Sequence, residues 1–277
     1  MRRLLGEEQR DPHNNVILSI LYNGRDGIFL WLVFASRAAF ACARGIVLEY
    51  RRKRIQRRGF TMLYVGRIVC VGVTPSGRVF AGYRVSSRSF PNRRAVAREQ
   101  AISIIPKQGH ELDVEKNPYI AYNCARIVRG GEVAVLTNGS QTDPIAQKID
   151  AGMPIRDALA LSLLALDYEH DSYNTPRICA VVDRTNQTGW LATVREDGLN
   201  VCRMPLSPRT LFYVATYEEN DLSDARCVAF DAESPQDACA FMLGGGIFAQ
   251  RTNPITAVAA IATYTGFSMA HEDAPAQ

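Results

Sequence analysis

From residue 62 onward the chain is a succession of short Val- and Ile-rich runs, each closed by a turn signal, and this pattern constrains the fold more than any other feature. Leu63–Val73 leads into Thr74-Pro75-Ser76-Gly77, and Arg78–Tyr83 returns, which reads as a hairpin. Ala101–Ile105 is a short strand ended by Pro106, and Tyr119–Val128 and Glu132–Leu136 pair across Arg129-Gly130-Gly131. Arg177–Val182, Gly189–Val194, Leu199–Met204 and Leu211–Thr216 extend the series. The strands follow one another directly, without regular strand–helix alternation, so the expected class is α+β with antiparallel sheets.

Helical periodicity is clearest over Met153–Tyr168. Ile155, Leu159, Leu163 and Leu166 form one stripe, while Ala158, Leu161, Leu164 and Ala165 leave little polar face, which predicts a buried, central helix. Pro144 marks a second helix start after Thr142 or Asp143. Ser234 caps a third over Pro235–Leu243, and Gly244-Gly245-Gly246 ends it. No Gly-Lys-Ser/Thr follows those glycines, so they are not a P-loop. Ile255–Thr263 reads as helix or buried strand, and the tail from His271 as disordered.

The net charge of +4 is unevenly placed. Residues 1–61 hold 12 Lys and Arg against 5 Asp and Glu, and residues 62–277 hold 20 against 23. The body is therefore mildly acidic, which argues against a nucleic-acid partner. Seven scattered cysteines without CxxC or His spacing point to reduced, mostly buried thiols in the cytoplasm and to no metal site. In residues 1–61 the apolar window Ile28–Leu48 carries Arg37 and Arg44, so it is a poor spanning helix. Two readings remain for that segment. The preferred one is an in-frame extension upstream of the native start; the other is a basic amphipathic helix on a membrane surface.

One stretch carries the densest polar chemistry. Tyr83-Arg84-Val85-Ser86-Ser87-Arg88-Ser89-Phe90-Pro91-Asn92-Arg93-Arg94 packs four arginines, three serines and one asparagine into twelve positions, at the exit of the first hairpin. Guanidinium forks and hydroxyls in such density suit phosphate or another compact anion, and equally a solvated basic loop. With the preceding Tyr64-Val65-Gly66-Arg67, this stretch resembles the opening of the stand-alone, archaeal-type IMP cyclohydrolase family. Three later stretches resemble the same family in the same order: Asn117–Cys124, Thr137–Asp143 and Leu166–Arg177.

The resemblance, from about Met62 to Glu218, implies an αββα four-layer sandwich similar to the N-terminal nucleophile hydrolases. The nucleophile of those hydrolases is missing, because the body would begin Met62-Leu63-Tyr64. It implies a purine ribonucleotide substrate, no cofactor and a homotetramer. The implied reaction closes 5-formamidoimidazole-4-carboxamide ribonucleotide to IMP with loss of water. Tyr119, Glu169 and Arg88 are the candidate catalytic residues. Arg84, Ser86, Ser87 and Arg93 are candidate donors to the phosphate or oxyanion, and Asn123, Asn138, Ser140 and Asn174 are candidates to orient the carboxamide and base. If Tyr119–Val128 is one strand, Tyr119 and Asn123 share a face. Glu169 lies at the C-terminal end of the long helix, where the dipole disfavours an ionised carboxylate. The rival readings are an amide hydrolase using Cys70 or Cys124, and a non-enzymatic nucleotide-binding protein anchored through residues 1–61.

Overall fold

The computed structural model describes residues 8–10, 17–23, 27–33, 62–222 and 226–275. The chain divides into two compact units, 1–61 and 62–277. The described part of the first is an antiparallel sheet of β1 (Glu8–Arg10), β2 (Ile17–Asn23) and β3 (Gly27–Val33). The start of the Ile28–Leu48 window is thus strand rather than helix; residues 34–48 lie outside the described residues.

The second unit holds two larger antiparallel sheets. The seven-stranded sheet runs in the order β12 (Gly198–Met204), β11 (Thr188–Arg195), β10 (Arg177–Asp183), β9 (Val133–Thr137), β8 (Tyr122–Val128), β7 (Ala101–Pro106), β6 (Arg93–Arg98). The six-stranded sheet runs β14 (Cys227–Ala229), β13 (Thr210–Ala215), β4 (Ile68–Val73), β5 (Val79–Ser86), β15 (Pro254–Ala262), β16 (Phe267–Asp273). The helices are a single turn α1 (Asp113–Lys116), then α2 (Thr142–Asp150), α3 (Ile155–Leu166) and α4 (Pro235–Gly244). Ser234 and Asp237 form a capping box at the start of α4. The class is α+β with two antiparallel sheets, and the packing is compatible with a layered sandwich.

Strand alternation explains the cores. In β5, Val79, Ala81, Tyr83 and Val85 join residues of the seven-stranded sheet in one core, while Phe80 turns the other way, onto α4. β4 divides likewise, Val69, Val71 and Val73 against Ile68 and Cys70. A third core lies between α2, α3 and the outer face of the seven-stranded sheet.

Three expectations change. α3 is not buried all round: Leu161 and Leu164 are exposed, because only one of its faces meets the sheet. The tail from His271 is ordered: β16, which contains His271, pairs with β15, which takes the strand alternative offered for Ile255–Thr263. Pro118–Ile120 is a 3-10 turn, with the Asn117 side chain accepting the Tyr119 amide at 2.8 Å. Tyr119 is therefore not in register with Asn123.

Candidate active site

Gly66 places the first wall of the site. Its φ is +72°, and a Cβ there would stand 2.1 Å from Thr216 Oγ1 and 2.7 Å from the Tyr217 ring. The missing side chain lets the segment from Val65 to Arg67 lie against Thr216 and Tyr217. The backbone of Thr216 donates to Arg67 O and that of Tyr217 to Val65 O. Arg67, just past this approach, sends its side chain to Glu169: Nη2 donates to Oε2 at 3.2 Å.

Glu169 comes from a different kind of segment. α3 stops at Asp167, whose φ is +55°, and Glu169 N then donates to Thr175 O at 2.8 Å. Asp171 accepts from the amides of Tyr173 and Thr175 and from the Thr175 hydroxyl, so the reversal is firmly tied. The Glu169 side chain is buried, with Oε1 lacking a protein hydrogen-bond partner and Arg177 Nη1 standing 3.8 Å from it. Burial pushes its carboxyl above the ordinary value; Arg67 and Arg177 oppose that shift without cancelling it. Burial, rather than the helix dipole, is the physical cause. Burial also disfavours the charge on Arg67, but Glu169 and nearby tyrosine hydroxyls outweigh it and hold the guanidinium charged.

Arg177 ties the site together. Nε donates to Asp167 O at 2.7 Å and Nη1 to Gln141 Oε1 at 3.0 Å, and its guanidinium lies 5.6 Å from the Tyr119 ring centroid. Tyr119 and Glu169 thus flank one arginine. Behind them, Asn138 accepts from Gln141 Nε2 and the Ile178 amide and donates to Pro176 O.

Glu169, Arg67 and Tyr119 open into a cavity of about 480 Å³. Ser86, Ser87, Arg88, Ser89 and Arg93 line the same cavity. Arg88 is exposed and stacks on Tyr64 at 4.0 Å, and Tyr64 stacks in turn on Tyr217. Arg93 is only 2% exposed; Nε donates to Phe90 O, and Nη1 has no protein partner.

Five candidates stand away from this cavity. Arg84 occupies the α4 face of β5, and its guanidinium donates to the carbonyls of Met242, Leu243, Phe248, Arg251 and Thr252, leaving it no donor for a substrate. Asn123 bonds Ser103 and Asp143 on the outer sheet face. Asn138 is fully buried and bonded as above, Ser140 is exposed before α2, and Asn174 donates to Glu196. Sequence reasoning missed Arg67, Tyr64, Tyr217 and Arg177 as site residues. The Tyr64-Val65-Gly66-Arg67 motif was a local signal for Tyr64 and Arg67; Tyr217 comes from a distant segment and has none.

Cys70 and Cys124, the nucleophiles of the rival amide hydrolase, are fully buried, and burial pushes both thiols well up. Neither lines the cavity.

Comparison with known proteins decides the family. The family model described as IMP cyclohydrolase-like protein matches residues 64–266. This chain belongs to the IMP cyclohydrolase family. A relative from Methanosphaera stadtmanae named IMP cyclohydrolase is 48% identical over 198 residues, 72% of this chain and 94% of the relative. One from Methanocella arvoryzae with the same name is 54% identical over 172 residues, covering 62% and 82%. One from Methanococcus maripaludis (strain S2) is 39% identical over 209 residues, covering 75% and 99%. Every cavity residue from Tyr64 to Glu218 falls inside the region that the cyclohydrolase model matches.

Proposed function

We propose that the chain is an IMP cyclohydrolase whose active site is the cavity between Glu169 and the Ser86–Arg93 loop. The observation that carries this assignment is a buried carboxylate with a free oxygen sharing one cavity with a serine- and arginine-rich loop.

The reaction suits that equipment. The carboxamide nitrogen bonds to the formyl carbon and gives up one proton, and the formyl oxygen gains one. The C–O bond then breaks, the formamide nitrogen loses its proton, and water leaves. Both partners are on one molecule, so positioning supplies much of the rate. What remains is proton transfer and stabilisation of a developing oxyanion. Glu169 takes the carboxamide proton and returns it to the departing oxygen, and Tyr119, beside Arg177, assists. Arg88, Ser86 and Ser87 hold the phosphate. Tyr64 and Tyr217 offer an aromatic wall beside Glu169. No step calls for redox or group-transfer chemistry.

On the wider architecture, α2 and α3 over one sheet and α4 over the other support the αββα layering of the N-terminal nucleophile hydrolases. Among the described residues no helix is long and apolar enough to cross a membrane. A cytoplasmic homotetramer acting on a purine ribonucleotide, with no nucleic-acid or membrane partner, is the corresponding proposal, and sedimentation velocity tests its oligomeric part. Residues 62–277 are proposed to carry the activity.

The test is to follow absorbance as the full chain and a Met62 start meet the formylated carboxamide ribonucleotide. Cofactor-free IMP formation by both is the expected result. Nucleotide binding without turnover in both would reassign the cavity to a binding protein. Turnover confined to the full chain would return residues 1–61 to the enzyme.

A further inference from the structure

Glu218 lines the cavity next to Tyr217, and the ring-closing chemistry gives it no task. Its backbone lies in the left-handed region, at φ +58°. A Cβ is crowded there, and Gly, Asn or Asp is the usual occupant. Glu219 N closes the tight turn by donating to Tyr217 O, and Ala215 N donates to Glu219 O at 2.9 Å. A glutamate kept in so unfavourable a conformation indicates a use for its side chain.

Its neighbours hold it in place. Tyr217 N donates to Val65 O, and Tyr217 Oη pairs with Thr175 Oγ1 at 2.9 Å. Glu219 accepts from Arg251 Nε at 3.2 Å and from Tyr213 Oη at 3.0 Å, and Arg251 is buried. The two consecutive glutamates therefore divide. Glu219 serves the fold, while Glu218 is exposed and contributes to the cavity.

The place of Glu218 along the cavity selects its ligand. Arg88 stacks on Tyr64 and Tyr64 on Tyr217, so this row leads from the arginine assigned to the phosphate to the aromatic wall beside Glu169. Glu218 follows the last member of the row. A 5′-nucleotide laid along it has its phosphate at Arg88, its heterocycle at the wall and its sugar between them. An ionised carboxylate only accepts hydrogen bonds, and it repels a phosphate. The reacting carboxamide is already faced by Glu169. The neutral donors that remain are the vicinal 2′- and 3′-hydroxyls of the sugar, which suit two carboxylate oxygens, as in dinucleotide-binding folds where an acidic side chain takes a ribose hydroxyl.

We infer that Glu218 is a specificity-determining residue whose carboxylate accepts from the ribose 2′- and 3′-hydroxyls, so that the cavity takes ribonucleotides in preference to their 2′-deoxy forms. This rests on the cyclohydrolase reading for the identity of the nucleotide and adds a sugar subsite to it.

The experiment measures the Kd of IMP and of 2′-deoxy-IMP for the wild-type full chain, Glu218→Gln, Glu218→Ala and Glu218→Gly, with kcat and KM for ring closure and thermal melts as a folding check. Wild type is expected to bind IMP about tenfold or more tightly than the deoxy form, which leaves a carboxylate oxygen without its donor. Glu218→Ala and Glu218→Gly should weaken IMP binding by about 10–100-fold and bind the two nucleotides within about threefold of each other. Glu218→Gln keeps one acceptor and should fall between. KM should rise more than kcat falls. Glycine relieves the left-handed backbone, so Glu218→Gly should melt no lower than Glu218→Ala and keeps the comparison open if the alanine variant folds poorly. Folded variants that retain the wild-type preference for IMP would overturn the inference, even if both affinities fell together, because Glu218 would then be only a wall of the cavity. A wild-type chain without the preference would overturn it equally. A wild-type chain that shows the preference but never closes the ring would overturn the cyclohydrolase reading and leave the sugar subsite standing, and one that binds neither nucleotide would overturn both.

Discussion

Gly139 Cα lies directly beneath Glu169: a Cβ at position 139 would stand 3.1 Å from Glu169 Oε1, 3.0 Å from Arg177 Nη1 and 2.6 Å from Gln141 Oε1. The turn from Thr137 to Gln141 is thus the floor under the carboxylate and its arginine. The Thr137 and Thr142 hydroxyls both close on Gly139 O, fixing the turn from below.

Replacing Gly139 with Ala therefore wedges a methyl group under three catalytic or supporting side chains. Overpacking of this kind costs about 1–3 kcal/mol of stability. Turnover should fall by at least about tenfold, because a displacement well under 1 Å suffices to misplace a proton-transfer group. Steady-state kinetics at a temperature where the variant is fully folded provides the check. Unchanged kcat would mean that the carboxylate tolerates movement and is not a positioned catalyst.

The pH dependence follows from the upward shift of the Glu169 carboxyl. As proton acceptor, Glu169 must be ionised, so kcat should fall as pH drops through a value above that of an ordinary glutamate. Arg177→Met removes a cation that favours the ionised form, so its acid limb should move to higher pH. Stability has the opposite sign. The folded state binds the proton more tightly than the unfolded state, so stability declines as pH rises from the unfolded pKa through the folded one. Glu169→Gln removes that decline, and its stability relative to wild type should improve across the same window and then level off. Urea melts and pH–rate profiles of the three proteins decide the matter. An acid limb that persists in Glu169→Gln would assign the proton transfer to another group.

The first hairpin was legible because Thr74-Pro75-Ser76-Gly77 is an unambiguous turn between alternating apolar runs, and β4 and β5 pair as expected. The same alternation also contained the fate of Arg84. Tyr83 faces the opposite sheet, so Arg84 must face α4, where Phe80 already points. The density of arginine and serine hid that parity. Asn117-Pro118 is a turn signal, and reading it would have separated Tyr119 from the strand that bears Asn123. Glu169 and the Ser86–Arg93 loop were found through family motifs; Arg67 and Arg177 lie in the same motifs, but their partners Glu169 and Gln141 are 102 and 36 residues away in sequence, so their roles were not legible there.

Arg84 supports a stability prediction in place of a binding one. Burial and the nearby Arg251 lower its pKa to about 10, and five carbonyls depend on its donors. Arg84→Ala should destabilise the protein by about 3–5 kcal/mol, since it leaves buried acceptors unpaired between α4 and β15. For a body of this size that corresponds to a Tm lower by roughly 10 °C or more. Residual activity at low temperature should show a KM raised only as far as Ser86, which accepts from Arg84 Nε at 3.0 Å and lines the cavity, is displaced. A selective rise in KM with an unchanged Tm would restore Arg84 to the substrate.

The cysteines separate a cyclohydrolase from a thiol hydrolase by a chemical experiment. Cys70, Cys124 and Cys179 are buried with thiols pushed well up, and burial takes Cys239 to about 12, so none presents a thiolate near neutral pH. Cys227 is exposed and is the site where an alkylating reagent should react first among the described cysteines. Mass spectrometry of the native protein after brief treatment at neutral pH should find Cys227 modified, Cys70 and Cys124 untouched, and ring closure undiminished. Modification of Cys124 with parallel loss of activity would reverse the assignment, since a buried inert thiol cannot be labelled without first opening the core between the two sheets.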